Sequence, residues 1–242
     1  YAANCKAFYG LPVEVYSDAD LWYAHRLVNE AYHVAVTARQ GPVHINVPLR
    51  EPLYEVLPEP GEITGVTEQS AAEFEVPGSY IEKVWKEAGN ILLVAGQQSF
   101  NPQLNKILGQ IAHDKRVCII AEPLSNIRIT ARIENPELLL AAQVDIQKFG
   151  PDLLVYFGGQ VVSVRLKQFL RHCPVAHSWF VDPAGRHVDT FRRLTSVIRA
   201  EPVRFFDGLS GKSSGKPAAY GLHWDGLRIK AEAVRAAASA HI

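Results

Sequence analysis

Apolar residues recur at intervals of three and four along residues 18–40: Leu21, Ala24, Val28, Ala31 and Ala35, with Leu27 and Val34 widening the stripe. That spacing predicts an amphipathic helix with one buried face, capped by Ser17 or Asp18. Gly41-Pro42 breaks it, and residues 43–47 then read as a short strand closed by Pro48. A helix, a turn and a strand bury too little to stand alone. They are expected to be the last unit of a domain whose earlier part lies elsewhere.

Further along, the pattern changes to short, continuous apolar runs. Residues 90–95 (NILLVA), 116–121 (RVCIIA), 152–157 (DLLVYF), 177–181 and 195–200 read as strands. Helical stretches lie between and after them, at 102–113, 135–144, 163–172 and 202–209. Two of these open with Asn then Pro, a capping residue followed by the imino acid that suits the first helical position. Apolar strands alternating with helices predict a parallel sheet covered on both faces. Right-handed crossovers make that a doubly wound, Rossmann-like α/β domain. The pattern does not give the strand order.

Residues 55–79 are rich in Glu, Pro, Gly and Thr and have no periodicity, as a linker would. Residues 210–219 (SGKSSGKPAA) read as a second linker, followed by an Ala-rich helix over 224–240. The expected division is therefore a domain remnant at 1–56, a linker at 57–79, the central Rossmann-like domain at 80–209, and a linker with the first helix of a further domain at 210–242.

Composition narrows the function classes. Of the 242 residues, 48% are hydrophobic and 21% charged, and 25 basic groups balance 25 acidic ones. No basic excess points to nucleic acid. No apolar run approaches the roughly 20 residues of a membrane helix, so no membrane span is expected and a cytoplasmic location is the default. Cys5, Cys118 and Cys173 are odd in number and far apart, with neither a disulfide framework nor a zinc spacing. Cys118 and Cys173 read as buried small hydrophobes. Methionine is absent, even at position 1. A piece of a longer protein is the simplest expectation, and loss of modified methionines from the sequence is the other.

Few residues suggest chemistry. Gly211-Lys212-Ser213 resembles the end of a phosphate-binding loop, but Phe206 stands where that motif needs glycine. Gly96-Gln97-Gln98 follows the first central strand, without the glycine spacing of a dinucleotide site. His44 alternates with apolar neighbours and reads as a packed histidine, while His113 and His172 lie at helix C-termini, where the dipole favours a cation. Arg165 is singled out. It lies in the first turn of the helix after Gly158-Gly159, against the helix dipole, at the carboxyl end of a strand where open α/β sheets bind ligands. Beside free amide donors it would make an anion site. The other reading is a solvated arginine on an exposed helix face.

The segment GPVHINVPLREPLY, residues 41–54, resembles the end of the pyrimidine-binding domain of thiamine-diphosphate enzymes. Its extension HINVPLREPLY is similar to one branch of them, the 2-succinyl-5-enolpyruvyl-6-hydroxy-3-cyclohexene-1-carboxylate synthases of menaquinone biosynthesis. DLLVYFGG, SVRLKQFL and FVDPAGR match that branch more loosely. The resemblance implies three domains: a pyrimidine-binding one ending in residues 1–56, the central one, and a pyrophosphate-binding one begun by the last helix. It implies decarboxylation of 2-oxoglutarate and addition of the succinyl carbanion to isochorismate. It also implies thiamine diphosphate anchored by magnesium or manganese, and a homo-oligomer, dimer or tetramer, whose active site forms between two subunits. The family's activating glutamate would precede this chain, and no Gly-Asp pair begins a diphosphate motif anywhere in it. The chain alone is therefore expected to be an internal fragment with no catalytic, cofactor-binding or metal-binding residue, holding no cofactor and catalysing nothing. A basic pair of the family aligns with Val164 and Arg165. The first position departs from the pattern and the second keeps it, so Arg165 is the one expected substrate-binding residue. Alternatives are another thiamine-diphosphate enzyme, of the acetohydroxy acid synthase or 2-oxo acid decarboxylase type, a free-standing Rossmann-like binding module, or a spacer that orients catalytic domains.

Overall fold

The computed structural model describes residues 5–36, 41–49, 65, 67–70, 79–141, 144–212 and 218–239. They fall into two compact units, divided between Thr67 and Glu68.

The first unit is one strand–helix–strand turn. Strand β1 (Ala7–Gly10) leads through helix α1 (Asp18–Val36) to β2 (Val43–Asn46), which pairs with β1 in parallel, Ala7 opposite Val43. Ser17 and Asp20 cap α1 reciprocally: the Ser17 amide donates to Asp20 Oδ2 at 3.0 Å, and the Asp20 amide to Ser17 Oγ at 3.3 Å. Leu27 and Ala31 of the predicted stripe are buried, whereas Leu21 and Val28 remain exposed. His44 stacks on Phe8, ring centroids 4.9 Å apart.

The second unit is built on a seven-stranded sheet. Its strands are β3 (Thr67–Ser70), β4 (Ile91–Ala95), β5 (Val117–Ala121), β6 (Arg132–Ile133), β7 (Leu153–Phe157), β8 (His177–Val181) and β9 (Ser196–Arg199), in the order β3-β9-β8-β7-β4-β5-β6. From β4 to β9 every pairing is parallel. The chain starts at the centre with β4, winds out to β6, returns across β4 to β7 and winds out the other way. This is the doubly wound α/β sheet that the alternating pattern predicts. Strands β4, β5 and β7 are buried at every position, as strands covered on both faces must be.

Helices α2 (Ser79–Glu87), α3 (Pro102–Ile111) and α7 (Pro202–Leu209) supply one layer. Ile81, Trp85, Leu104, Leu108 and Phe206 pack there against alternate strand residues such as Leu93, Ile119, Val155 and Trp179. The other layer is α4 (Pro136–Leu139), α5 (Ile146–Phe149), α6 (Val164–His172) and α8 (Tyr220–Ser239). Trp224 of α8 is buried edge-on to Phe149 and Phe169, and the Tyr220 hydroxyl donates to Phe149 O at 2.9 Å. Cys118 and Cys173 are buried as expected, and burial pushes the Cys173 thiol up to about 12.

Three features differ from the sequence expectation or add to it. Of the helix expected over 135–144 only the short α4 forms, and α5 follows beyond it, where Asp145 caps a fresh turn by accepting from the Gln147 amide at 2.9 Å. Thr67–Ser70, within the stretch expected to be a linker, is a strand of the sheet. The rest of that stretch up to residue 78 lies outside the described residues except Gly65, as do 213–217 of the second linker. Finally, α2 arises where no helix was expected, with Ile81, Val84 and Trp85 on its buried face. No described helix is long and apolar enough to cross a membrane.

Candidate functional site

The winding order reverses between β4 and β7, and doubly wound sheets bind ligands in the crevice beyond the carboxyl ends of such strands. Ala95 and Phe157 are opposite each other, so the loops starting at Gly96 and Gly158 leave the sheet side by side. Here they bond to one another. Gln97 N donates to Gln160 O at 2.9 Å, and Gly159 N donates to Gln97 O at 2.7 Å. Gly158 takes a φ of +80°, and a Cβ on Gly96 would lie 2.1 Å from Gly159 O. The glycines therefore serve the approach of backbone to backbone. The amides that would face a dinucleotide's pyrophosphate are spent on the neighbouring loop, which agrees with the missing glycine fingerprint.

Arg165 lies next along the β7 loop, in the first turn of α6. Ser163 caps the helix, its Oγ accepting from Leu166 N at 3.0 Å. Two carboxylates from other loops grip the same turn. Glu122, nine-tenths buried at the end of β5, accepts from the amides of Val162 and Ser163, each at 2.7 Å. Glu137, in the first turn of α4, accepts from Ser163 Oγ at 2.9 Å and from the Arg165 amide at 3.0 Å. Its Oε2 also stands 3.1 Å from Arg165 Nε. The Arg165 amide, then the Ser163 hydroxyl, the Val164 amide and the Arg165 charge hold the Glu137 carboxyl below the usual carboxylate range, against an opposing effect of desolvation. The amide donors expected to be free beside Arg165 are thus taken.

What remains available is the far end of the guanidinium. The Arg165 side chain is 51% exposed, and among the described residues neither Nη makes a hydrogen bond. A groove of about 680 Å³ opens beside Glu137. Its own cations are paired, Arg132 with Glu134 and Arg228 with Glu232, each at 3.0 Å. Glu122 and Glu137 were not singled out in the sequence. Glu122-Pro123 at a strand's carboxyl end was the one available signal for the first, and nothing local marks Glu137 as the partner of a residue 28 positions away.

No set of three or more His, Cys, Asp or Glu side chains among the described residues could hold a metal ion.

No family model matches the chain. Curated proteins do. It is 32% identical to the 2-succinyl-5-enolpyruvyl-6-hydroxy-3-cyclohexene-1-carboxylate synthase of Desulfotalea psychrophila, over 87% of this chain and 40% of that protein. It is 31% identical to the synthase of the same name from Porphyromonas gingivalis, over 96% of this chain and 42% of the other. One from Bacteroides fragilis is 30% identical over 88% of this chain and 39% of its own length. The chain thus spans about 40% of the length of the curated relatives it matches.

Proposed function

We propose that this chain is a portion of a 2-succinyl-5-enolpyruvyl-6-hydroxy-3-cyclohexene-1-carboxylate synthase of menaquinone biosynthesis. The observation that carries the reading is a likeness of about 30% identity running through 87–96% of the chain to proteins of that name. The doubly wound sheet supports it, and the closed crevice at the switch point argues against a free-standing nucleotide-binding module.

On this reading the complete enzyme is cytoplasmic and oligomeric. It decarboxylates 2-oxoglutarate and adds the succinyl carbanion to isochorismate. Thiamine diphosphate with magnesium or manganese supplies the carbanion chemistry, held by residues outside this chain. The central domain contributes a rigid platform and one recognition group. Arg165 presents its open guanidinium edge to a substrate carboxylate, and such a planar fork matches a carboxylate with two parallel hydrogen bonds.

The test is direct. The complete protein should form product from 2-oxoglutarate and isochorismate when given thiamine diphosphate and magnesium, and residues 1–242 alone should form none. Failure of the complete protein sinks the reading, and turnover by the isolated chain sinks the assignment of the cofactor to other segments.

A further inference from the structure

Arg165 would serve as a carboxylate receptor only if its guanidinium were held in place before the substrate arrives, because a freely rotating arginine loses side-chain entropy on binding. The structure assigns that task to Glu137, as a positioning residue. This inference rests on the reading of Arg165 given above.

Three observations carry it. Glu137 touches Arg165 at both ends of the residue, through the backbone amide at 3.0 Å and through Nε at 3.1 Å. The ion pair thereby draws the side chain back toward its own helix. The closest approach is an ion pair through Nε, and neither Nη is hydrogen-bonded among the described residues. A residue that merely neutralised the arginine would be expected to occupy the fork. Glu137 is itself held by Ser163 Oγ at 2.9 Å, and Glu122 holds the amides of Val162 and Ser163 that lead into the same turn. The result is a braced triad of Glu137, Ser163 and Arg165, with the guanidinium's far edge outward. The two carboxylates bring negative charge close to an anion site. The α6 amides and hydroxyl that they accept from, together with the positive helix N-terminus, offset it.

The experiment is steady-state kinetics on the complete enzyme with 2-oxoglutarate and isochorismate varied in turn. Glu137→Gln keeps an acceptor oxygen for the amide and hydroxyl but removes the charge that holds Arg165. The expected result is a KM raised about fivefold for the one substrate that Arg165→Ala also affects, with kcat within about twofold. In an Arg165→Ala background, Glu137→Gln should then add nothing, because both act through one contact. If Glu137→Gln unfolds more readily, that coupling is measured at a temperature where all four proteins are folded. An unchanged or lowered KM in Glu137→Gln, with Arg165→Ala still raising it, overturns the positioning role and leaves the reading of Arg165 standing. An Arg165→Ala enzyme with unaltered constants for both substrates overturns both.

Discussion

At the scale of single residues, Arg116 and Arg165 of the sheet domain are placed in opposite ways, one buried and one half-exposed. Arg116 is 1% exposed. Its guanidinium chelates Asp114, Nη2 to Oδ2 at 2.7 Å, while Nη1 donates to Trp85 O at 2.8 Å and Ala88 O at 2.9 Å, the carbonyls that end α2. It is a structural cap made by a distant side chain. Arg116→Met should strip the Asp114 carboxylate of its guanidinium and those carbonyls of their side-chain donor, and cost about 3 kcal/mol, as removal of one member of a buried pair does. Urea unfolding should show a lower midpoint with an unchanged slope. Arg165 carries an exposed fork, and in the complete enzyme Arg165→Ala should raise KM or lower turnover by about tenfold, roughly 1.4 kcal/mol. Arg165→Lys should recover only part, since lysine keeps the charge and loses the fork. A melting curve that matches the parent would separate this effect from unfolding. The place of Arg165 in the first turn of α6 was legible in the sequence, because the helix there follows a Gly-Gly and opens on a capping serine. The part played by Arg116 was not, because nothing in RVCIIA shows that its first side chain turns inward to the end of α2.

At the scale of elements, periodicity read well where a stretch was both apolar and regular. β4 was expected at 90–95 and occurs at Ile91–Ala95, and α6 matches the expected 163–172 to within a residue. α2 escaped because its first residues adjoin a polar stretch, and β6 because two residues, Arg132–Ile133, carry no period at all. α2 is held partly by charge. Glu82 accepts from Lys86 one turn on, at 2.6 Å, and from Lys212 beyond α7, at 2.9 Å. The Lys212 ammonium, then that of Lys86, draws its carboxyl down to about 2 from an ordinary 4.5. A carboxyl lowered on folding stabilises the fold above its unfolded value, and that stability is lost as pH falls through the folded one. Glu82→Gln should therefore melt below the parent at pH 7, and the gap should close as pH drops from about 4.5 toward 2. Both lysine contacts are solvent-facing, so added salt should narrow the gap at neutral pH as well. Thermal melts across pH, with and without salt, check both.

At the scale of the whole molecule, the fold class followed from alternation, but the order β6-β5-β4-β7-β8-β9 did not. Continuous apolar strands look alike whichever neighbours they take, so nothing in NILLVA or DLLVYF says that these two lie side by side. The candidate site was hidden for the same reason. Its members Glu122, Glu137 and Arg165 come from the end of β5 and the first turns of α4 and α6, which only this order brings together. The stitched loops beyond β4 and β7 have a consequence in time. Gln97 and Gln160 are 63 positions apart, and Glu122 and Val162 are 40 apart, so these bonds cannot form until the intervening strands and helices are in place. Such long closures fall late on the folding route, after the barrier that commits the chain. An interaction absent at the barrier governs escape from the native state and leaves its formation alone. Glu122→Gln should thus unfold several-fold faster and refold at nearly the parental rate in stopped-flow denaturant jumps. Equal slowing of refolding would instead place the clasp in the nucleus. A clasp made last is a brake on unfolding, and it sets how long the sheet, once wound, stays wound.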